Sequence, residues 1–140
     1  MTEFAVIDTE TTGTDERDRI VEIAIVLLDA NGKLVSEWDT LINPSIDVGP
    51  THIHGITNSM VSMAPSFADV AGTVSQLLDG RVLVAHNLPF DQKMLDREMR
   101  RCNSEWSPGE GFDTYQATNE RLSLACEFYN IKLDLSLIHI

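Results

Sequence analysis

The hydrophobic pattern of the first 43 residues is that of strands. Residues 3–8, EFAVID, are a short apolar run that stops on an acid. Residues 19–29, RIVEIAIVLLD, are β-branched or apolar on both faces, which predicts a central strand. Asn31-Gly32 then supplies the two positive-φ positions of a tight hairpin turn, and KLVSEWDTLIN (33–43) returns antiparallel until Pro44 stops it. After a loop rich in Pro, Gly, Thr and His (44–57), the period becomes helical. Ser66 with Asp69 three residues on predicts a capping box, and Phe67, Val70, Ala71, Val74, Leu77 and Leu78 form one apolar stripe that Gly80 ends. RVLVAH (81–86) predicts a strand, and Pro89 fits the first turn of a helix running to about Cys102. Residues 103–111 predict a loop, 112–115 a short strand, and 119–129 a last helix. Strand, strand, strand, helix, strand, helix, helix is the order of a mixed α/β domain.

Composition sets limits on this picture. The 140 residues suffice for one domain, and 43% hydrophobic with 23% charged residues is ordinary for a globular chain. No apolar run has the length of a membrane span and no basic region leads into a signal-like stretch, so the expected location is cytoplasmic, away from membranes. Cys102 and Cys126 lack metal-ligand spacing and are expected to be reduced core thiols. The net charge of −12, from 22 acids against 10 bases, disfavours a broad phosphate-gripping surface. Arg97, Arg100 and Arg101 are the only basic cluster, and helical spacing makes them a solvated face.

Acids placed where strands end carry the chemistry. Asp8 and Glu10 stand at i and i+2 of a strand and share a face. Two carboxylates so close repel unless a cation lies between them, and hard oxygen donors suit Mg²⁺ or Mn²⁺. A polar strand exit through Thr-Glu-Thr-Thr-Gly is the competing reading. Asp91, in AHNLPFDQKML, stands on the inward stripe of a helix with Leu95, Met99 and Cys102, where a carboxylate is costly without a partner. It also complements a helix N-terminus. Both stretches begin at the C-terminal end of an apolar strand, the usual place for sites in α/β sheets, and this favours a metal.

VIDTETTG, then NPxxxxxxxxIHGIT, then AHNxxFD, resembles the DnaQ-like 3′→5′ exonucleases with four acidic metal ligands, the group of the epsilon proofreading subunit of bacterial DNA polymerase III. The resemblance runs over residues 3–134. It implies a ribonuclease H-like fold: a mixed sheet with three N-terminal strands, at least two of them antiparallel, and flanking helices. It also implies removal of nucleoside monophosphates from 3′ ends by two Mg²⁺ or Mn²⁺ ions. Asp8 and Glu10 match the first motif and Asp91 the second, as catalytic metal ligands. Thr11, Thr12 and Gly13 are expected around the terminal nucleotide, His54 and Ile56 as walls of its pocket, and Asn87 and Phe90 on the other side. The implied partners are a single-stranded or frayed 3′ end of DNA, with RNA open, and a DNA polymerase. His52 and His54 also read as a zinc pair, a poor one without a Cys or acid nearby.

One motif is missing. The resemblance requires a helix carrying His-x-Ala-x-x-Asp after IKLD, but Asp134 is followed by LSLIHI. His139 is about two positions out of register with no helix to hold it, which disqualifies it as the general base. LSLIHI matches in full the translation of a transposon mosaic end used in preparing sequencing libraries. Residues 1–134 are therefore expected to be an incomplete exonuclease domain lacking its last helix, and 135–140 a non-native tail. As it stands, the chain is expected to be feeble or inactive. The alternative class is a non-catalytic nucleic-acid or polymerase-binding module with a degenerate exonuclease fold. An unrelated Mg²⁺-dependent phosphatase ranks behind both, since it needs neither IHGIT nor NxxFD.

Overall fold

The structure, a computed structural model, describes residues 3–109 and 111–113. The helix expected at 119–129, Cys126, Asp134 and residues 135–140 lie outside the described residues. Five strands, β1 (Phe4–Thr11), β2 (Ile20–Leu28), β3 (Leu34–Leu41), β4 (Val82–Ala85) and β5 (Gly111–Asp113), form one sheet in the order β3-β2-β1-β4-β5. β1 is antiparallel to β2, and β2 to β3, while β1 with β4 and β4 with β5 are parallel. The three-strand expectation and the mixed sheet are both present, with β5 starting one residue earlier than expected.

The β2–β3 turn differs in detail from the sequence reading. Only Gly32 has positive φ, at 80°. The Asp29 N–H donates to the Lys33 carbonyl at 2.9 Å, and the Asp29 carboxylate accepts from the N–H groups of Asn31 and Lys33 at 2.8 and 2.9 Å. An aspartate placed to bind two amides makes a three-residue loop better satisfied than the two-residue turn.

Four helices complete the described chain: α1 (Thr51–His54), α2 (Asn58–Val61), α3 (Phe67–Leu78) and α4 (Leu88–Arg101). The short α1 and α2 lie in or just beyond the segment expected to be loop. α3 starts at the expected capping box, with Ser66 Oγ accepting from the Asp69 N–H and Asp69 Oδ2 accepting from the Ser66 N–H. Phe67, Ala71 and Val74 of α3 and Met94, Leu95 and Met99 of α4 pack on the sheet face formed by Ala5, Ile7, Ile23 and Ile25. Each of these side chains larger than alanine contributes roughly 1.5–3 kcal/mol by leaving water. A satellite cluster of Val21, Val48, Ile56 and Val61 anchors the α1–α2 segment.

One consequence of the register positions everything that follows. β4 pairs with β1 only as far as Val6↔Val84, whereas β1 continues beside β2 to Thr11. The last residues of β1 therefore overhang the end of β4, and the chain leaving β4 turns into α4 at that notch.

Candidate functional site at the ends of β1 and β4

Asp8 and Glu10 stand on the overhang, both half-buried, opposite Ala24 and Glu22 of β2. Strand alternation turns Thr9 to the other face, where its hydroxyl donates to Asp91 Oδ1 at 2.6 Å. Asp91 itself is buried on the first turn of α4. A single tripeptide thus presents two carboxylates on one face and grips the third acid from the other.

The electrostatics are those of acids without sufficient compensation. Burial, then the carboxylates of Asp91, Glu10 and Glu22, push Asp8 up from 3.8 to about 8. Burial likewise pushes Asp91 up to about 7, against the lowering effect of the Thr9 hydrogen bond, and Asp113 adds to the rise. Among the described residues no three His, Cys, Asp or Glu side chains close into a metal cage. Mg²⁺ does not need one, because it is commonly held by one or two carboxylates with waters and substrate phosphates completing its shell. Hard oxygen donors held close at a cost that a cation would relieve fit a divalent ion.

The turn after β1 is braced from within. Thr12 is buried; its hydroxyl donates to Asp18 at 2.6 Å and accepts the Arg19 N–H at 3.0 Å. Thr11 donates to the Gly13 carbonyl at 2.8 Å. Gly13 leaves room for the Asp18 carboxylate, which a Cβ would meet at 2.5 Å. Gly49, with φ +78°, lies against the Thr12 carbonyl, which its Cβ would meet at 2.2 Å. Behind this turn Glu98, 1% exposed, accepts from Arg19 Nε at 2.9 Å and from the Ile20 N–H at 2.9 Å, and pairs with Arg19 Nη2 at 2.8 Å. Four segments are held together by these groups: residues 11–13, residues 18–20, Gly49 and α4.

The other residues of the expected site have the following surroundings. Thr12 supports the turn and does not offer its hydroxyl outward. His54 places Nε2 2.8 Å from the Val48 carbonyl, and its Nδ1 accepts the Ile56 N–H at 3.0 Å. Both ring nitrogens are therefore engaged by the backbone, which also sets the zinc-pair reading aside. Ile56 is 2% exposed in the satellite cluster, whereas Ile53 of the same motif is 74% exposed. Asn87 is exposed and Phe90 half-buried, with the Lys93 ammonium 5.9 Å from the Phe90 ring centroid. Of the basic cluster, Arg100 pairs with Asp96, while Arg97 and Arg101 donate to the carbonyls of Asp15 and Glu16.

The sequence reading missed Thr9, Glu22 and Asp113. Glu22 was legible as the lone polar residue inside RIVEIAIVLL. Thr9 carried no signal beyond its place between two acids. Asp113 ends a strand just as Asp8 interrupts one.

Comparison with known proteins places the chain in a class. The profile of the exonuclease family typified by RNase T matches residues 5–132. The chain belongs to that family. It is 46% identical over 101 residues to a DNA polymerase III subunit epsilon-like protein of Rhodobacter capsulatus, covering 68% of this chain and 14% of that protein. It is 37% identical over 115 residues to the DNA polymerase III subunit epsilon of Treponema pallidum, covering 80% and 53%. It is 38% identical over 117 residues to the 3′-5′ exonuclease DinG of Bacillus subtilis, covering 81% and 12%. The chain thus spans about half or less of these relatives. Its fold is that of Escherichia coli exonuclease I, solved in complex with an oligonucleotide, with a TM-score of 0.77 at 20% identity over 90% of this chain and 30% of that one. No helix among the described residues is long and apolar enough to cross a membrane.

Proposed function

We propose that this chain carries the nuclease domain of a metal-dependent 3′→5′ exonuclease that releases nucleoside monophosphates from single-stranded or frayed 3′ ends of DNA. The observation that carries the proposal is the meeting of two acids from distant segments: Thr9, next to Asp8, holds Asp91 at 2.6 Å, and the Asp91 carboxylate helps push Asp8 up, a cost that a cation would relieve. Asp8, Glu10 and Asp91 would hold two Mg²⁺ or Mn²⁺ ions. When bound, the ions neutralise the scissile phosphate, lower the pKa of the attacking water and stabilise the leaving 3′ oxygen.

The chain's own residues supply position. Thr9 keeps Asp91 oriented, and the Glu98–Arg19 pair fixes the turn through Thr11, Thr12 and Gly13, whose backbone meets the terminal nucleotide. Exposed Asn87 and half-buried Phe90 face the nucleotide from the start of α4, with Ile53 in place of Ile56 as the exposed apolar wall. Discrimination between DNA and RNA rests on contacts to the 2′ position. With a charge of −12, substrate affinity depends on the bound cations, and excess chelator abolishes tight binding.

Residues 1–134 belong to the nuclease domain, residues 135–140 are foreign to it, and the gene's downstream segment supplies the general base and a fourth acid. Sequencing the source DNA across codon 134 tests that division; a genomic LSLIHI followed by a stop contradicts it. Association with a polymerase and a cytoplasmic location follow from the same reading. The test of function is Asp8→Ala in the protein with its downstream segment restored. Hydrolysis is lost with the fold intact, and retained turnover overturns the metal assignment.

A further inference from the structure

Asp113 lies outside every motif that marked the site, yet the fold brings it there. It ends β5, in register with Ala85, the last residue of β4. From that position its Oδ1 accepts the backbone N–H of Asn87 at 2.9 Å. Asn87 is the N-cap of α4, in the left-handed region at φ 69°, ψ 54°, and no side chain caps the helix there. A non-glycine residue held in that region costs about 1 kcal/mol and needs its surroundings to keep it there. Asp91 follows one helical turn later on the same rigid element. A second contact fixes the same junction: Gly111 lies so close to Leu88, the first residue of α4, that a Cβ would meet Leu88 Cδ2 at 2.5 Å.

We infer that Asp113 is a positioning residue for Asp91: by accepting the Asn87 N–H, it sets the left-handed turn from which α4 starts and so the place at which Asp91 meets the cations. Asp91 is then held from two sides, by Thr9 from β1 and by β5 through the helix start. The role is that of an acceptor at a fixed length, and the negative charge of Asp113 is not what it uses. The inference rests on the exonuclease reading of the site.

Two mild substitutions separate length from charge. Asp113→Asn keeps an oxygen acceptor at the same reach and loses the charge. Asp113→Glu keeps the charge and moves the oxygen by one methylene. In the protein with its downstream segment restored, Mn²⁺ affinity is measured by electron paramagnetic resonance without substrate, beside the Mg²⁺ concentration for half-maximal release of nucleotide. Misplacing the support of a metal ligand typically weakens metal binding about 10–100-fold. The expected pattern is Mn²⁺ binding within about threefold of the parent for Asp113→Asn and weakened about tenfold or more for Asp113→Glu, with the Mg²⁺ requirement moving in parallel. The reverse pattern, loss with Asn and retention with Glu, overturns the inference and makes Asp113 an electrostatic contributor. Parent-like affinity in both also overturns it. A parent that neither binds Mn²⁺ nor hydrolyses DNA overturns the exonuclease reading instead.

Discussion

Replacing Asp8 by Asn removes a carboxyl that burial, Asp91 and Glu10 push up to about 8. Unfolded, the same group titrates at its ordinary value of 3.8. A folded pKa above the unfolded one gives a stabilising contribution that is whole below 3.8 and lost as pH rises through about 8. Without metal, ionising Asp8 therefore works against the fold across that range. Four units at about 1.4 kcal/mol each set a gross cost of about 6 kcal/mol. Water reaches an acid at a strand end, and screening leaves roughly 2–3 kcal/mol. Asp8→Asn escapes this cost. In chelator at pH 8 the variant is more stable than the parent by about 2–3 kcal/mol, or roughly 6–9 °C in midpoint, and the difference vanishes near pH 4. Saturating Mg²⁺ raises the parent's midpoint at pH 8 and leaves the variant's nearly unchanged. Thermal unfolding followed by circular dichroism at several pH values, with chelator or Mg²⁺, reads both effects. A variant no more stable than the parent at pH 8 in chelator refutes the reasoning.

Three further tests, by five substitutions, address the surroundings of the site. Thr9→Val deletes the 2.6 Å bond to Asp91 at nearly constant volume, costing about 1.5–3 kcal/mol in whichever state holds Asp91 ionised; Mn²⁺ titration shows weaker binding, and unchanged affinity contradicts the role given to Thr9. Gly49→Ala places a Cβ 2.2 Å from the Thr12 carbonyl at positive φ, whereas Gly55→Ala, also at positive φ, meets nothing within 4 Å. In urea unfolding the first costs more than about 2 kcal/mol and the second about 1 kcal/mol. Ile56→Ala costs about 2–4 kcal/mol in stability as a core truncation, while Ile53→Ala stays within about 0.5 kcal/mol and raises KM for the oligonucleotide. Equal stability losses for the two isoleucines contradict the inward placement of Ile56.

What the sequence made legible follows from which forces act locally. β2 was readable because burial on both faces leaves an unbroken apolar run. α3 was readable because its start is written in two residues, Ser66 and Asp69, that need no distant partner. Asp8 and Glu10 share a face by strand geometry alone. The turn at Gly32 was misread in detail because the Asp29 carboxylate, three residues upstream, decides it by accepting two amides. For His54 and Ile56, expected as walls of the nucleotide pocket, a motif states only neighbours in sequence, whereas α1 and the Val21–Val48–Val61 cluster decide which side faces in. The partners of Asp113 and Glu98 could not be read for the same reason. These partners, Asn87 and Arg19, lie 26 and 79 residues away, and only the parallel β4–β5 pairing and the packing of α4 bring them together.

The central claim is tested most directly by direction of attack. A single-stranded oligonucleotide carrying a label at its 3′ end, and a second carrying it at the 5′ end, are incubated with the complete gene product in Mg²⁺ and in excess chelator. The account predicts that the 3′ label leaves first, as a nucleoside monophosphate, only with Mg²⁺, and that Asp8→Ala stops it. Early release of the 5′ label, internal cleavage, or hydrolysis that survives the chelator would contradict it.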